Sequence, residues 1–207
     1  MRLIVFIEGL MIRTTTWVFA ACLAALTTAC TTLSAETRIP SALQASEFND
    51  VASQYMDRPT FVSVQSFSDG NIALQVLVDE YGTGYDPALR TTIPNATYFD
   101  KRYIADYLPL IDKYLEWETL AAGRGDLIDR QVGVAKTWGV GGDIELRFGI
   151  YSSKTSQHLL IVERCAFGTC IDKALYLTRS NASALRRLLV DFSADKIGHV
   201  DTQSVYK

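Results

Sequence analysis

Histidine is scarce in this chain, with two in 207 residues, and neither His158 nor His199 has a second ligand at metal-binding spacing. The sequence contains no H-E-x-x-H, no C-x-x-C and no EF-hand loop, so it implies neither a zinc nor a calcium site. G-x-S-x-G is missing too, which leaves no marked serine nucleophile. The glycines of residues 139–143 (GVGGD) lack a following Lys-Ser/Thr and read as a turn, not a phosphate loop. No metal and no cofactor is expected.

Charge of one sign is also lacking. The chain has 20 Lys+Arg against 23 Asp+Glu, and interspersed signs on a mildly acidic surface argue against nucleic acid as a partner. Long apolar runs are missing as well. The longest, Trp17 to Leu26, holds ten residues, about half of what a bilayer-spanning helix needs.

What is there begins with that run. Arg13 precedes it, and together they have the form of a secretory leader. Glu8 is awkward in such a leader, whereas Met11 would begin a cleaner one, so the start could be Met1 or Met11. The string LTTAC ending at Cys30 resembles a bacterial lipobox, in which a small residue precedes a cysteine that becomes the lipidated first residue. It departs from that pattern in having Leu26 four places before the cysteine and Thr27 in the leucine position. The resemblance implies lipidation at Cys30 and a membrane attachment through that lipid. Thr31, where aspartate would favour inner-membrane retention, then points to the outer membrane. The competing site is cleavage after Ala35, which would release a soluble periplasmic or secreted form. Residues 1–35 are therefore expected to be leader and residues 36–207 a single globular domain. Without the leader the balance is 18 basic against 22 acidic residues, a net of −4.

Of four cysteines, Cys22 and Cys30 belong to the leader, leaving Cys165 and Cys170. Their spacing suits a disulfide across a short hairpin in an oxidising compartment.

No repeat or long linker divides the remainder. Residues up to Pro40 read as a polar tether. Leu43, Phe48, Val51 and Tyr55 lie at approximate helical spacing, with Ser41 as cap and Arg58-Pro59 as the stop. Alternation over Phe61 to Phe67 and Ile72 to Tyr81, around Ser68-Asp69-Gly70, predicts a hairpin. A loop rich in glycine and proline follows. Ile104, Tyr107, Leu108, Ile111, Tyr114 and Leu115 mark a second helix, interrupted or kinked at Pro109 and ended at Gly123–Asp126. Four strands are expected between Ile128 and Thr178, then a third helix capped by Ser180 or Asn181. The predicted fold class is α+β, a mainly antiparallel sheet of five or six strands with three packed helices.

The candidate binding surface is aromatic. Tyr81, Tyr85, Tyr98, Tyr103 and Tyr107 cluster with Asp86, Arg90, Asp100 and Arg102 around the glycine-rich loop. Tyrosine beside charge suits protein interfaces, because a rigid ring buries area while its hydroxyl finds a partner. Asp86 and Asp100 would give charge complementarity, and Tyr81, Tyr85, Tyr98 and Tyr103 contact area. The expected function is an exported, periplasmic protein-binding module whose partner is another envelope or secreted protein. One form of it is an immunity protein against an envelope-directed hydrolase. The alternatives are a cell-wall glycan hydrolase or glycan binder using Glu118, Asp143 or Glu145, and a lipid-anchored assembly factor.

Overall fold

A computed structural model describes residues 31–79, 85–86, 91–92, 95–139, 144–170 and 173–198, with 85–86 and 91–92 described in their backbone only. The residues from Leu33 onward form one compact unit. Residues 1–30 of the expected leader, Cys30 among them, as well as Tyr81, Arg90, Asp143 and His199, lie outside the described residues.

Two antiparallel sheets dominate. The smaller has four strands in the order β1 (Leu33–Ile39), β4 (Thr60–Phe67), β5 (Ile72–Val78), β8 (Asn95–Asp100). The larger, seven-stranded sheet runs β3 (Gln54–Arg58), β2 (Ala45–Asn49), β13 (Leu175–Leu177), β11 (Gln157–Ala166), β10 (Ile144–Lys154), β9 (Asp129–Thr137). The short β12 (Thr169–Cys170) pairs with β11, and β6 (Tyr85–Asp86) pairs with β7 (Thr91–Thr92). Two α-helices are present among the described residues, α1 (Ile104–Arg124), entered through a 3-10 turn at Lys101–Tyr103, and α2 (Arg179–Ser193). None of the described helices is long and apolar enough to cross a membrane.

This overturns the expected single sheet of five or six strands with three helices. The missing helix is the β2–β3 hairpin. Phe48 and Tyr55 are not successive helical turns but direct cross-strand partners, with ring centroids 5.4 Å apart. Between them the Asn49 side chain accepts from the Ala52 amide at 2.8 Å, Ser53 takes a left-handed φ of 49°, and Val51 stands almost fully exposed at the tip. Asn, Asp and Ser favour such a turn because their side chains bond nearby backbone. The supposed tether is likewise a strand, β1, registered from Leu33↔Phe67 to Ile39↔Val62. Pro59 marks the corner where the chain leaves β3 for β4, and Thr60 ties the sheets there, its hydroxyl accepting from the Ala45 amide at 2.8 Å.

The hairpin at Ser68-Asp69-Gly70 is present, closed by Gly70 at φ 81°. Helix α1 runs through Pro109 without division and stops at Gly125, whose φ of 69° is the left-handed cap conformation. The cap of α2 is Thr178, not Ser180 or Asn181. Cys165 and Cys170 are disulfide-bonded and directly opposite in β11 and β12.

The core lies where α1 and α2 cover one face of the large sheet. Tyr107, Ile111 and Tyr114 meet Leu146, Phe148, Ile150, Leu160, Leu185 and Leu189 there, all essentially without solvent exposure. The two tyrosine hydroxyls need acceptors at that depth. Tyr107 donates to the Lys136 carbonyl at 2.6 Å and Tyr114 to the His158 carbonyl at 3.0 Å, which pins α1 to two strands.

Candidate binding site

Strand β8 alternates. Thr97 and Phe99 share the core-facing side with Val76 and Leu74, their partners in β5, so Tyr98 and Asp100 point to the other side. That side is polar and still covered. Ser63 and Gln65 both donate to the Gln75 side-chain carbonyl, at 3.1 and 3.0 Å. Gln75 in turn donates to the Tyr98 hydroxyl at 2.9 Å. With Ser63, Gln65 and Gln75 all buried, this chain of bonds fixes the Tyr98 ring from its hydroxyl end.

At its other edge the ring joins an aromatic cluster. Phe67 and Trp138 stack with centroids 3.9 Å apart and planes 16° from parallel, and Tyr98 lies 5.5 Å from Trp138. Thr137 donates its hydroxyl to the Tyr98 carbonyl, so the last residues of β9 are fastened to β8.

Asp100 stands where β8 gives way to the helix, with a fully buried side chain. It accepts from the Arg102 amide at 2.8 Å, as a helix cap does. Its two oxygens also take Nε of Arg102 at 3.1 and 3.2 Å, and Nη2 at 2.6 Å. The bond to Asp100 is the main reason the guanidinium is held above its usual pKa. Half of the Arg102 side chain remains exposed, with its charge 5.4 Å from the centre of the Tyr103 ring. A polar cavity of about 170 Å³ opens here between Asp69, Arg102, Tyr103, Lys136 and Trp138.

The structure thus gathers Tyr98, Asp100 and Tyr103 at one corner. It places Tyr107 in the core instead. Tyr85 and Asp86 sit on the short β6–β7 pairing. Asp100 does not present its charge at the surface; the charged side chains exposed there are the basic Arg102 and Lys136 and the acidic Asp69. The sequence reading missed Phe67, Trp138 and the role of Arg102. An Asp two residues before an Arg at a strand-to-helix junction was the legible signal, since a capping Asp points its carboxylate at the first-turn residues.

A second aromatic group lies on the outer face of the large sheet. Tyr55 is 5.0 Å from Tyr176 and 6.2 Å from Tyr151, centre to centre. Burial first, then its tyrosine neighbours, pushes the Tyr55 hydroxyl pKa up.

The carboxylates considered for glycan hydrolysis do not converge. Glu145 alternates to the outer face of β10 and pairs with Arg147 at 3.7 Å. Glu118 is on α1, across the sheet, paired with Arg179. A serine and a histidine do meet: Ser152 Oγ is 2.6 Å from His158 Nδ1. That serine also accepts from the Ile128 amide at 2.9 Å, and no described residue bonds His158 Nε2, so no carboxylate orients the ring as in a catalytic triad. Among the described residues no group of three or more potential ligands could hold a metal ion.

No protein-family model matches this chain, and no curated protein or solved structure is significantly similar to it.

Proposed function

We propose that this protein is an exported protein-binding module whose docking anchor is Arg102, flanked by Tyr103 and Trp138. The observation that carries this reading is the bidentate grip of a buried Asp100 on a half-exposed Arg102. A guanidinium held in this way loses little side-chain freedom on binding, and arginine, tyrosine and tryptophan dominate binding hot spots. Arg102 and Lys136 against the exposed Asp69 leave one net positive charge at this corner, which favours an acidic partner surface. A secreted or envelope hydrolase with paired catalytic carboxylates has that chemistry, and Arg102 entering its cleft would inhibit by exclusion.

Attachment to the envelope through Cys30 is part of the same reading. Its support is that β1 starts at Leu33: cleavage before Cys30 keeps the strand whole, whereas cleavage after Ala35 removes Leu33 and its pairing with Phe67.

The test is affinity purification of the tagged full chain from its native envelope, comparing wild type with Asp100→Asn/Arg102→Ala and with Tyr103→Ala. The first variant removes the guanidinium without stranding a buried carboxylate. The expected result is one stoichiometric partner, bound at least about tenfold more weakly by either variant. A folded Asp100→Asn/Arg102→Ala protein that captures the same partner as well as wild type would sink the assignment.

A further inference from the structure

Where the last turns of α1 lie beside the start of β9, an open cavity of about 440 Å³ has Trp117, Leu120, Leu127 and Ile128 as its apolar walls. Sites for small molecules have this size, roughly 300–1,000 Å³, and a mostly apolar lining with a few polar groups. Two of the walls stand largely in water, Leu120 at 56% and Leu127 at 68% exposure.

The exposure of Leu127 is imposed by its neighbours. After the Gly125 cap, the Asp126 amide donates to the Ala121 carbonyl at 3.0 Å. On the other side the Ile128 amide donates to Ser152 Oγ at 2.9 Å, and the Ile128 carbonyl accepts from the Ser152 amide at 2.8 Å. With both flanking residues tied down, the backbone holds Leu127 out. Trp117 is fixed as well. Lys113 donates to the Val132 carbonyl at 3.1 Å, which sets its ammonium 4.8 Å from the centre of the indole, and the Arg130 guanidinium lies over the same ring at 5.6 Å. An apolar surface ordered in advance takes little freedom from the protein when a ligand covers it.

Three charged side chains complete the lining, Arg124, Asp126 and Arg130. Arg124 and Asp126 pair at 2.7 Å and cancel. Arg130 is exposed and has no ion-pair partner among the described residues. A guanidinium over an indole uses its flat face there and keeps its in-plane N–H donors for another group. The carboxylates nearest in sequence do not line the cavity. Asp129 alternates to the opposite face of β9, where it is the partner of Tyr151, and Glu116, one residue from Trp117, lies round the helix from it. The lining therefore carries one net positive charge, that of Arg130, and Lys113 adds a second beside the indole.

The geometry points to a binding site for a small anionic amphiphile, an aliphatic or aromatic body that bears one carboxylate. The two oxygens of a carboxylate match two parallel N–H groups of the Arg130 fork, and the body covers Trp117, Leu120 and Leu127. A neutral apolar molecule would leave the guanidinium unused, a cationic one would be repelled, and a bare anion would leave both leucines in water. The site shares no residue with the Arg102 corner and does not rest on the function proposed there.

The experiment is a titration of the isotope-labelled full chain with octanoate, and separately with octanol and acetate, at constant ionic strength. Shifts of the Trp117 indole N–H, the Leu120 and Leu127 methyls and Arg130 Nε–H report binding at this cavity and nowhere else in the chain. The expected result is saturable shifts with a dissociation constant of about 1 mM or tighter for octanoate, binding of octanol at least about fivefold weaker, and no saturation with acetate. Arg130→Gln should bring octanoate down to the affinity of octanol and leave octanol unchanged. Leu127→Ser should weaken both severalfold, since it removes apolar contact that the two ligands share. Both positions are exposed, so the variants should keep the fold. Octanol binding as tight as octanoate, or octanoate affinity unchanged in a folded Arg130→Gln protein, would overturn the site. So would shifts at these positions that follow protein concentration without any ligand, which would mean that a second copy of the chain covers the leucines.

Discussion

Asp100 and Arg102, two residues apart, form a pair in which the carboxylate is fully buried and half of the arginine side chain stays in water. One residue closes β8 and caps the helical turn, and the other is held at the surface as a consequence. The asymmetry means that the two ends of the pair answer differently to mutation.

Arg102→Ala leaves Asp100 buried and without its counter-charge, which should cost about 2 kcal/mol; this lies below the usual cost of breaking a fully buried pair because water screens half of the arginine. Asp100→Asn keeps an acceptor for the Arg102 amide, so the cap survives, and it should cost about 1 kcal/mol. The double variant should be more stable than Arg102→Ala alone. Urea melts of the four proteins give the coupling, and strictly additive effects would show that the pair contributes nothing to stability.

Much of this corner was legible in sequence, but not its polarity. The strings around Ser68-Asp69-Gly70 and Gly125 carried the hairpin and the end of α1, because each needs a backbone conformation that few residues accept. The β2–β3 hairpin was not legible. Leu43, Phe48 and Tyr55 satisfy a loose helical spacing and a cross-strand pairing equally well, and only the pairing partner β13, more than a hundred residues away, decides between them. β1 escaped notice for a related reason: as an edge strand with no fully buried residue, it lacks the clean alternation that a half-buried strand shows. Composition singled out Tyr98, Asp100 and Tyr103, and they do lie at one corner. That Asp100 would be buried and Arg102 exposed depended on β5, which composition does not reveal.

The turn between β11 and β12 holds Phe167 at φ 51° and Gly168 at φ 80°. Two left-handed residues suit a tight hairpin, where Asn-Gly is favoured, but a phenylalanine there is strained by about 1 kcal/mol. Phe167 is also 86% exposed, so little packing offsets that strain. Phe167→Asn is expected to raise stability by about 0.5–1 kcal/mol, read as a higher denaturant midpoint with an unchanged slope. A lower midpoint would mean that the ring makes contacts worth more than the strain.

Removing the neighbouring disulfide should have a small effect, because the loop it closes is short. Cys165→Ser/Cys170→Ser is expected to lose about 2 kcal/mol on the loop-entropy estimate. Because that entropy belongs to the unfolded chain, amides that exchange only by global unfolding, in α1 as in the sheet, should all exchange faster, by roughly thirtyfold. Acceleration confined to β12 and the end of β11, with α1 unchanged, would show that the bond staples only its own hairpin.

Tyr107 and Tyr114 are without solvent exposure, and burial is the main cause pushing both hydroxyls above their usual pKa. Unfolded tyrosine ionises near pH 10, so below that pH neither state loses a proton and the buried hydroxyls contribute in full. Above it the unfolded chain releases protons that the folded one retains, and stability must fall as pH rises. Absorbance at the tyrosinate band should therefore rise in two parts, a gradual one from exposed rings and a cooperative one that coincides with unfolding by circular dichroism. Tyr107→Phe should weaken the neutral-pH fold by about 1 kcal/mol, through the orphaned Lys136 carbonyl. The same variant should lose less stability between neutral and alkaline pH, because one proton-releasing group has gone. An unchanged alkaline slope would mean that Tyr107 ionises in the folded protein, which its place between Phe99 and Phe148 argues against.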